Sequence, residues 1–185
     1  AFNRGPSGYG IGLKDMDDSV ITGNRFLDNR VGAFIDGSPR EMDSIGVIEG
    51  NLFAYNDIGM EMLPSVRHNR IHNNSYIENE QQVVIAGGGR LGENEWTVGG
   101  RGNYWSDYAG YDGDGDGRGE IEYRNQHLLD SLMGQRPELR LFLYSPVVNA
   151  VEFAARAFPL VRPQPILVDE RPLTQPALPS GAPLP

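Results

Sequence analysis

The sequence repeats one short register, Asn-x-aromatic-x-x-Asn, at three places. It occurs in "GNRFLDN" from Asn24, in "GNLFAYN" from Asn51 and in "NSYIEN" from Asn74, so the copies recur after 27 and 23 residues. Units this short cannot cover their own apolar side, so each has to stack on its neighbours to build a continuous core. The repeat therefore predicts a solenoid.

Other repeated segments indicate which kind of solenoid this is. Short apolar segments, "GIGL", "GAFI", "GMEM" and "VVIA", separate the copies, which predicts two brief strands per unit. A weaker copy starts at Asn94 with Trp96, and an offset copy starts at Asn69 with Ile71. Asn and Gly tolerate the left-handed backbone of tight corners, and stacked Asn side chains can satisfy one another from coil to coil. We therefore expect an all-β fold, a right-handed parallel β-helix over residues 1–101.

Two other architectures compete with the β-helix. A leucine-rich-repeat horseshoe would require a leucine spacing that the chain lacks. An irregular antiparallel sandwich stays an alternative, because the coil lengths vary by several residues.

Charge and composition exclude several classes of partner and site. The formal net charge of −9 argues against the basic face that nucleic-acid binding requires. The absence of cysteine excludes thiolate metal sites and disulfides. The first residues, "AFNRGPSGYGIGL", lack an initiator Met and enter a pattern already under way. We therefore expect this chain to be the C-terminal part of a longer protein.

An acidic, glycine-rich stretch, "GNYWSDYAGYDGDGDGRGE", occupies residues 102–120. Its aspartates alternate with glycine as in the first half of a calcium loop, but Tyr123 stands where the bidentate Glu of an EF-hand should be. A shortened oxygen cage would still suit calcium, and an unmetallated acidic turn is the alternative. The predicted calcium ligands are Asp112, Asp114, Asp116, the backbone carbonyl of Arg118, and Glu120.

The aromatic residues of this stretch predict a cap over residues 102–145. Tyr104, Trp105, Tyr108 and Tyr111 can seal the open end of a β-helix, and a sugar-stacking platform is the alternative. Residues 126–133 are expected to form a short helix and "ELRLFLYS" a short strand packed on this cap.

The last segments predict an amphipathic helix and an extended tail. Over residues 146–158, the apolar stripe that includes Val147, Val151 and Phe158 can dock on the domain's own flank or on another protein. Residues 159–185 hold eight of the thirteen prolines, which favours an extended, Pro-rich strap, with a disordered terminal tail as the alternative.

The string "RGNYWSDYAGYDGDGDGRGEIEY" closely resembles a signature of the NosD family. The preceding "NNSYIENEQQVVIAGGGRLGENEW" and the following "SPVVNAVEFAARAFP" are similar to that family as well. The resemblance implies a non-enzymatic, periplasmic β-helix protein that helps to mature the copper enzyme nitrous oxide reductase. It also implies three partners: an ABC-type transporter of the inner membrane with its ATPase and permease, a copper donor lipoprotein, and nitrous oxide reductase itself.

Soft ligands for copper are few in this chain. Copper(I) prefers thioether and imidazole groups, and without cysteine the candidates are five Met and three His. On a strand over 59–62, Met60 and Met62 would point to the same face, and the next turn could bring His68 or His72 toward them. The alternative is that both Met fill the coil interior. Weaker candidates are Met16, Met42, His127 and Met133.

Two other functions compete with copper handling. A polysaccharide lyase or epimerase would use carboxylates with calcium or arginine to abstract a sugar ring proton. Its candidate residues are Asp15, Asp17, Asp18, Asp36, Arg40 and Glu41. A sugar-binding or adhesion module would explain the coils and the calcium loop, but it assigns no role to the helix and the strap.

Overall fold

The computed structural model describes residues 2–6, 8–88, 91–125, 145 and 165–179. Within these ranges the chain forms thirteen strands and no helix. The strands are β1 Tyr9–Lys14, β2 Val20–Thr22, β3 Arg25–Leu27, β4 Val31–Asp36, β5 Gly46–Glu49, β6 Leu52–Ala54, β7 Ile58–Met62, β8 Asn69–His72, β9 Ser75–Ile77, β10 Gln81–Ile85, β11 Tyr104–Trp105, β12 Tyr123–Asn125 and β13 Leu167–Asp169.

The strands wind into a parallel β-solenoid of about three turns, which confirms the predicted β-helical fold. The first sheet has the order β1-β4-β7-β10, the second β2-β5-β8 and the third β3-β6-β9-β11. All pairings within these sheets are parallel. Each turn thus contains three strands, one more than the two predicted, because the short second-sheet strands carry too few apolar residues to be recognised.

A column of aromatic rings runs through the core. Phe26, Phe53 and Tyr76 stack at centroid distances of 5.0 and 4.9 Å, and Trp105 and Tyr123 continue the column at 4.4 Å each. Each of the first four rings stands two residues after an asparagine at a corner. Offset stacking of this kind adds to the stabilisation that burial of the rings provides. The repeat therefore defines the core as well as the corners.

Asparagine ladders occupy the three corners of the solenoid. The ladder before the third sheet contains one asparagine from each coil: Asn24, Asn51, Asn74 and Asn103. Each donates its backbone N–H to the side-chain oxygen of the next ladder position. A second ladder precedes the first sheet, and a third joins Asn69 to Asn94. The second ladder contains Asn3, Asn29, Asn56 and Asn79. Buried amide groups thus find partners from coil to coil, as a polar group in a core must.

Residues 165–179 lie on the solenoid. Strand β13 pairs antiparallel with β12, and the Leu173 N–H donates to the Asn103 carbonyl at 2.8 Å. Asp169, at the end of β13, is fully buried and accepts hydrogen bonds from Asn103 and Trp105. This part of the Pro-rich segment therefore docks against the last coil.

Several predicted elements lie outside the described residues. These are the short helix over 126–133, residues 138–144 of the short strand "ELRLFLYS", and the amphipathic helix over 146–158. In the described part of the chain, no helix has the length and apolar character that crossing a bilayer requires.

Candidate functional site

A surface groove opens at the corner between the first and second sheets. It consists of two adjoining cavities of about 220 and 350 Å³, and Met42, His68 and Glu93 line both of them. These residues come from three successive coils that meet at this corner. The stacking of coils therefore forms the groove, and no single loop supplies all of its lining residues.

The loop over residues 37–45 forms one wall of the groove. It is longer than the connections over 15–19 and 63–68 at the same corner of the neighbouring coils, which accounts for the longer repeat step. The Asp17 Oδ1 accepts the backbone N–H groups of Arg40 and Glu41 at 2.7 and 2.8 Å. Ser44 and Asp18 share a second pair of hydrogen bonds. These contacts fix the turn that carries Met42, whose side chain reaches solvent and is 86% exposed.

His68 also lines the groove, and its backbone holds it in place. Its φ is 59°, its N–H donates to the Glu93 carbonyl at 2.7 Å, and its carbonyl accepts from the Gly46 N–H at 3.2 Å. Asn69, the next residue, belongs to the third ladder. The imidazole Nε2 lies 3.7 Å from the Glu93 Oε2, beyond hydrogen-bonding distance. These backbone hydrogen bonds position the ring at the corner, with Glu93 as the neighbouring charge.

The groove carries more negative than positive groups. Five carboxylates and three guanidinium groups line the two cavities. Arg67 lies 3.9 Å from Glu93, and Arg70 lies 3.2 Å from Glu95. The excess of carboxylates favours a cation over an anion in the groove.

The predicted pair Met60 and Met62 lies in the interior of the coil. Both side chains are fully buried in the main hydrophobic core. The Met60 Sδ accepts a weak hydrogen bond from the Tyr76 hydroxyl at 3.9 Å, and burial raises the pKa of that hydroxyl well above its ordinary value. The structure thus places these sulfurs in the core and His68 on the surface groove, and copper binding by the predicted set stays a prediction.

His72 stands at the end of β8, on the side of the strand opposite Ile71. Its Nδ1 is buried and has no hydrogen-bond partner in the described residues. Its register partner is Glu49 of the preceding coil. Its ring does not line either cavity of the groove.

The acidic loop brings three of its predicted calcium ligands together. Oxygens of Asp112, Asp114 and Asp116 lie within 4.8 Å of one another. They accept backbone N–H groups of the loop itself, such as Gly117 to the Asp112 Oδ2 at 2.8 Å. The side chain of Arg118, whose backbone carbonyl is the fourth predicted ligand, lies 3.6 Å from Asp116. The carboxylate of Glu120, the fifth, lies 3.5 Å from the Arg171 guanidinium. Calcium binding by this loop stays a prediction.

Three of the acids considered for sugar chemistry have structural partners, and the other candidates, Asp15, Arg40 and Glu41, line one cavity of the groove. Asp17 and Asp18 hold the 37–45 loop as described above, and the Asp36 carboxylate lies 3.1 Å from the Lys14 ammonium. That hydrogen-bonded pair raises the pKa of Lys14. Asp17, Asp18 and Asp36 thus have structural roles at this corner of the solenoid.

Two residues of importance are missed by the sequence patterns. Met42 is only one of the weaker copper candidates in the sequence. It lines the same groove as His68, but the two residues are 26 positions apart, about one coil, so only the alignment of the coils brings them together. Asp169 lies in a Pro-rich segment 66 residues after Asn103. No local pattern in the sequence signals that a single carboxylate there completes a ladder.

Comparison with known proteins gives a consistent result. A family model described as "Periplasmic copper-binding protein (NosD)" matches residues 2–110. A relative from Pseudomonas aeruginosa described as "Probable ABC transporter binding protein NosD" is 37% identical over 96% of this chain and 42% of its own length. A relative of the same description from Stutzerimonas stutzeri is 34% identical over 89% of this chain and 39% of its own length. The chain thus spans about two fifths of the length of these relatives.

Proposed function

The chain belongs to the NosD family, and on this premise we propose that it is a periplasmic accessory protein that handles copper(I) for the maturation of nitrous oxide reductase. In this role it acts without catalysing a reaction of its own, in concert with an ABC-type transporter of the inner membrane. A copper donor lipoprotein supplies the ion, and nitrous oxide reductase receives it.

The observation that carries the proposal is the location of the soft ligands. The family match covers residues 2–110, and this range holds four of the five Met and two of the three His. Thioether and imidazole groups are the ligands that copper(I) selects when no thiolate is present. The relatives, for their part, are described as binding proteins for an ABC transporter.

The direct test is an anaerobic copper(I) titration of the 185-residue chain against a competing chelator. We expect stoichiometric binding that outcompetes a weak chelator, and no binding of calcium at the same site. A parallel titration with Met60 and Met62 both changed to Leu tests the predicted core pair, because Leu preserves volume while removing the sulfur. A chain that binds no copper(I) would contradict the proposal for this part of the protein.

The transporter contact is tested separately. The sequence predicts that Val147, Val151 and Phe158 lie on the apolar side of a helix, and we propose that this side docks on the transporter. We expect Val151→Asp to abolish co-purification with the transporter's permease and ATPase while copper(I) affinity stays unchanged. Asn149→Asp introduces the same charge on the predicted polar side and should leave co-purification intact.

A further inference from the structure

We propose that copper(I) is held in the corner groove by the Met42 thioether and the His68 imidazole, with Glu93 as the neighbouring charge, and that this is an open exchange site. The inference rests on the proposed function and specifies where on the solenoid the ion is bound. It assigns the ion to a surface site where three successive coils meet, and not to the buried pair Met60 and Met62.

The first step of the argument is accessibility. An ion that is received from one protein and passed to another needs ligands that both proteins can approach. Met42 is 86% exposed and the His68 side chain 30% exposed, whereas Met60 and Met62 are fully buried. Exchange at the core pair would require the stacked coils to open, while exchange at the groove requires only side-chain rotation.

The second step is the chemistry of the ligand set. Met42 and His68 line the same two cavities, which brings a sulfur and a nitrogen ligand into one groove. Hard cations such as calcium and magnesium prefer all-oxygen cages, and a thioether ligand favours copper(I) over them. Copper(I) also accepts a low coordination number, so two ligands from this chain leave a position open for a ligand from a donor or acceptor protein.

The third step is electrostatic. The five carboxylates that line the groove outnumber its three guanidinium groups, which favours a cation over an anion there. Glu93 stands 3.7 Å from the His68 Nε2, too far for a direct hydrogen bond but near enough to stabilise an imidazole that has bound a cation. The backbone of both His68 and Glu93 belongs to one corner, since the His68 N–H donates to the Glu93 carbonyl.

The test compares copper(I) affinities of matched variants by chelator competition under anaerobic conditions. Met42→Leu and His68→Asn are each expected to weaken binding at least about tenfold, since even losing an outer partner of a metal ligand typically costs that much. Asn is chosen at 68 because it tolerates the positive φ of this position. Met16→Leu and His72→Gln are the controls, because Met16 is exposed near the same corner and neither residue lines the groove.

A second readout locates the ion without relying on affinity. With the methionine methyl groups labelled with carbon-13, copper(I) is expected to shift the Met42 methyl signal and to leave those of Met60 and Met62 in place. Unchanged affinity in both Met42→Leu and His68→Asn would overturn the inference. If the Met60 and Met62 double variant loses binding instead, the groove site is wrong while the proposed function stands. If the unmodified chain binds no copper(I), both are wrong.

Discussion

Asn103 donates its backbone N–H and its side-chain Nδ2 to the Oδ2 of Asp169, at 2.7 and 3.3 Å. A carboxylate thus ends a ladder that carboxamides build. Each Asn in the ladder both accepts from the preceding position and donates to the next, so the last position needs an acceptor that has nothing to donate. The carboxyl oxygens of Asp169 meet that requirement, and they tie residues 165–179 to the last coil.

Removing this carboxylate should destabilise the fold strongly. Asp169→Ala leaves buried donors of Asn103 and Trp105 without an acceptor, and the Thr97 hydroxyl loses its 2.7 Å contact. Because each orphaned buried donor costs about 1–3 kcal/mol, we expect the free energy of unfolding to fall by about 3 kcal/mol or more. Urea unfolding monitored by Trp fluorescence measures this change.

The control for Asp169→Ala is the next residue. Glu170 is exposed, so Glu170→Ala should change the free energy of unfolding by less than about 0.5 kcal/mol. Equal unfolding midpoints for the two variants would show that the ladder does not need its terminal acceptor.

The same residue predicts a pH dependence. Burial raises the pKa of Asp169 above its ordinary value of 3.8, against the opposing effect of its hydrogen bonds with Thr97, Asn103 and Trp105. A group whose pKa is higher in the folded than in the unfolded state contributes stability that is complete below the unfolded value and is lost as pH rises through the folded value. We therefore expect the stability of the unmodified chain, relative to Asp169→Asn, to decrease as pH rises from 3.8.

This comparison cancels the titration of the other carboxylates. Urea midpoints of the two proteins, measured at several pH values from 3.5 to about 7, give the difference directly. A difference that grows with pH would mean that the hydrogen bonds outweigh burial and that the pKa is lowered instead.

The Asn-x-aromatic-x-x-Asn repeat allowed much of the architecture to be predicted. Asn24, Asn51 and Asn74 mark one ladder, and the aromatic residues two positions later form the core column. The continuation at Asn103 was not recognised, because Tyr108 stands where the second Asn of the repeat should be. The second sheet was missed for a related reason: each of its strands places a single isoleucine, Ile21, Ile48 or Ile71, in the core.

The candidate site was only partly predictable. His68 was identified from its proximity in sequence to a Met pair, but the Met that shares its groove is Met42, about one coil away. Contacts between residues one coil apart depend on the register between coils. That register follows from the lengths of the loops, and the loop over residues 37–45 is longer than the loop over residues 63–68. Local sequence patterns do not contain that information.

Close backbone contact between coils gives another prediction. A Cβ added at Gly32 would lie 2.5 Å from the Gly59 carbonyl oxygen, and that oxygen is backbone and cannot rotate away. Gly32→Ala should therefore lower the free energy of unfolding by about 1–3 kcal/mol or more. In Gly12→Ala the added Cβ meets nothing within 4 Å, so that variant should be neutral or slightly stabilising. Thermal unfolding of both variants tests this difference. An equal loss of stability in the two variants would refute the steric explanation.

A substitution at a corner of the solenoid should also stabilise the fold. Glu78 has a φ of 49° just before the ladder residue Asn79, and its side chain is exposed. A residue with a Cβ in the left-handed region lowers the stability of the folded state by about 1–2 kcal/mol, and Gly avoids this cost. Gly also raises the conformational entropy of the unfolded chain, which offsets part of the gain. We expect Glu78→Gly to raise the free energy of unfolding by up to about 1 kcal/mol. Glu78→Ala removes the same carboxylate but keeps a Cβ, so it should give no such gain. A stabilisation shared by both variants would assign the effect to charge and not to backbone conformation.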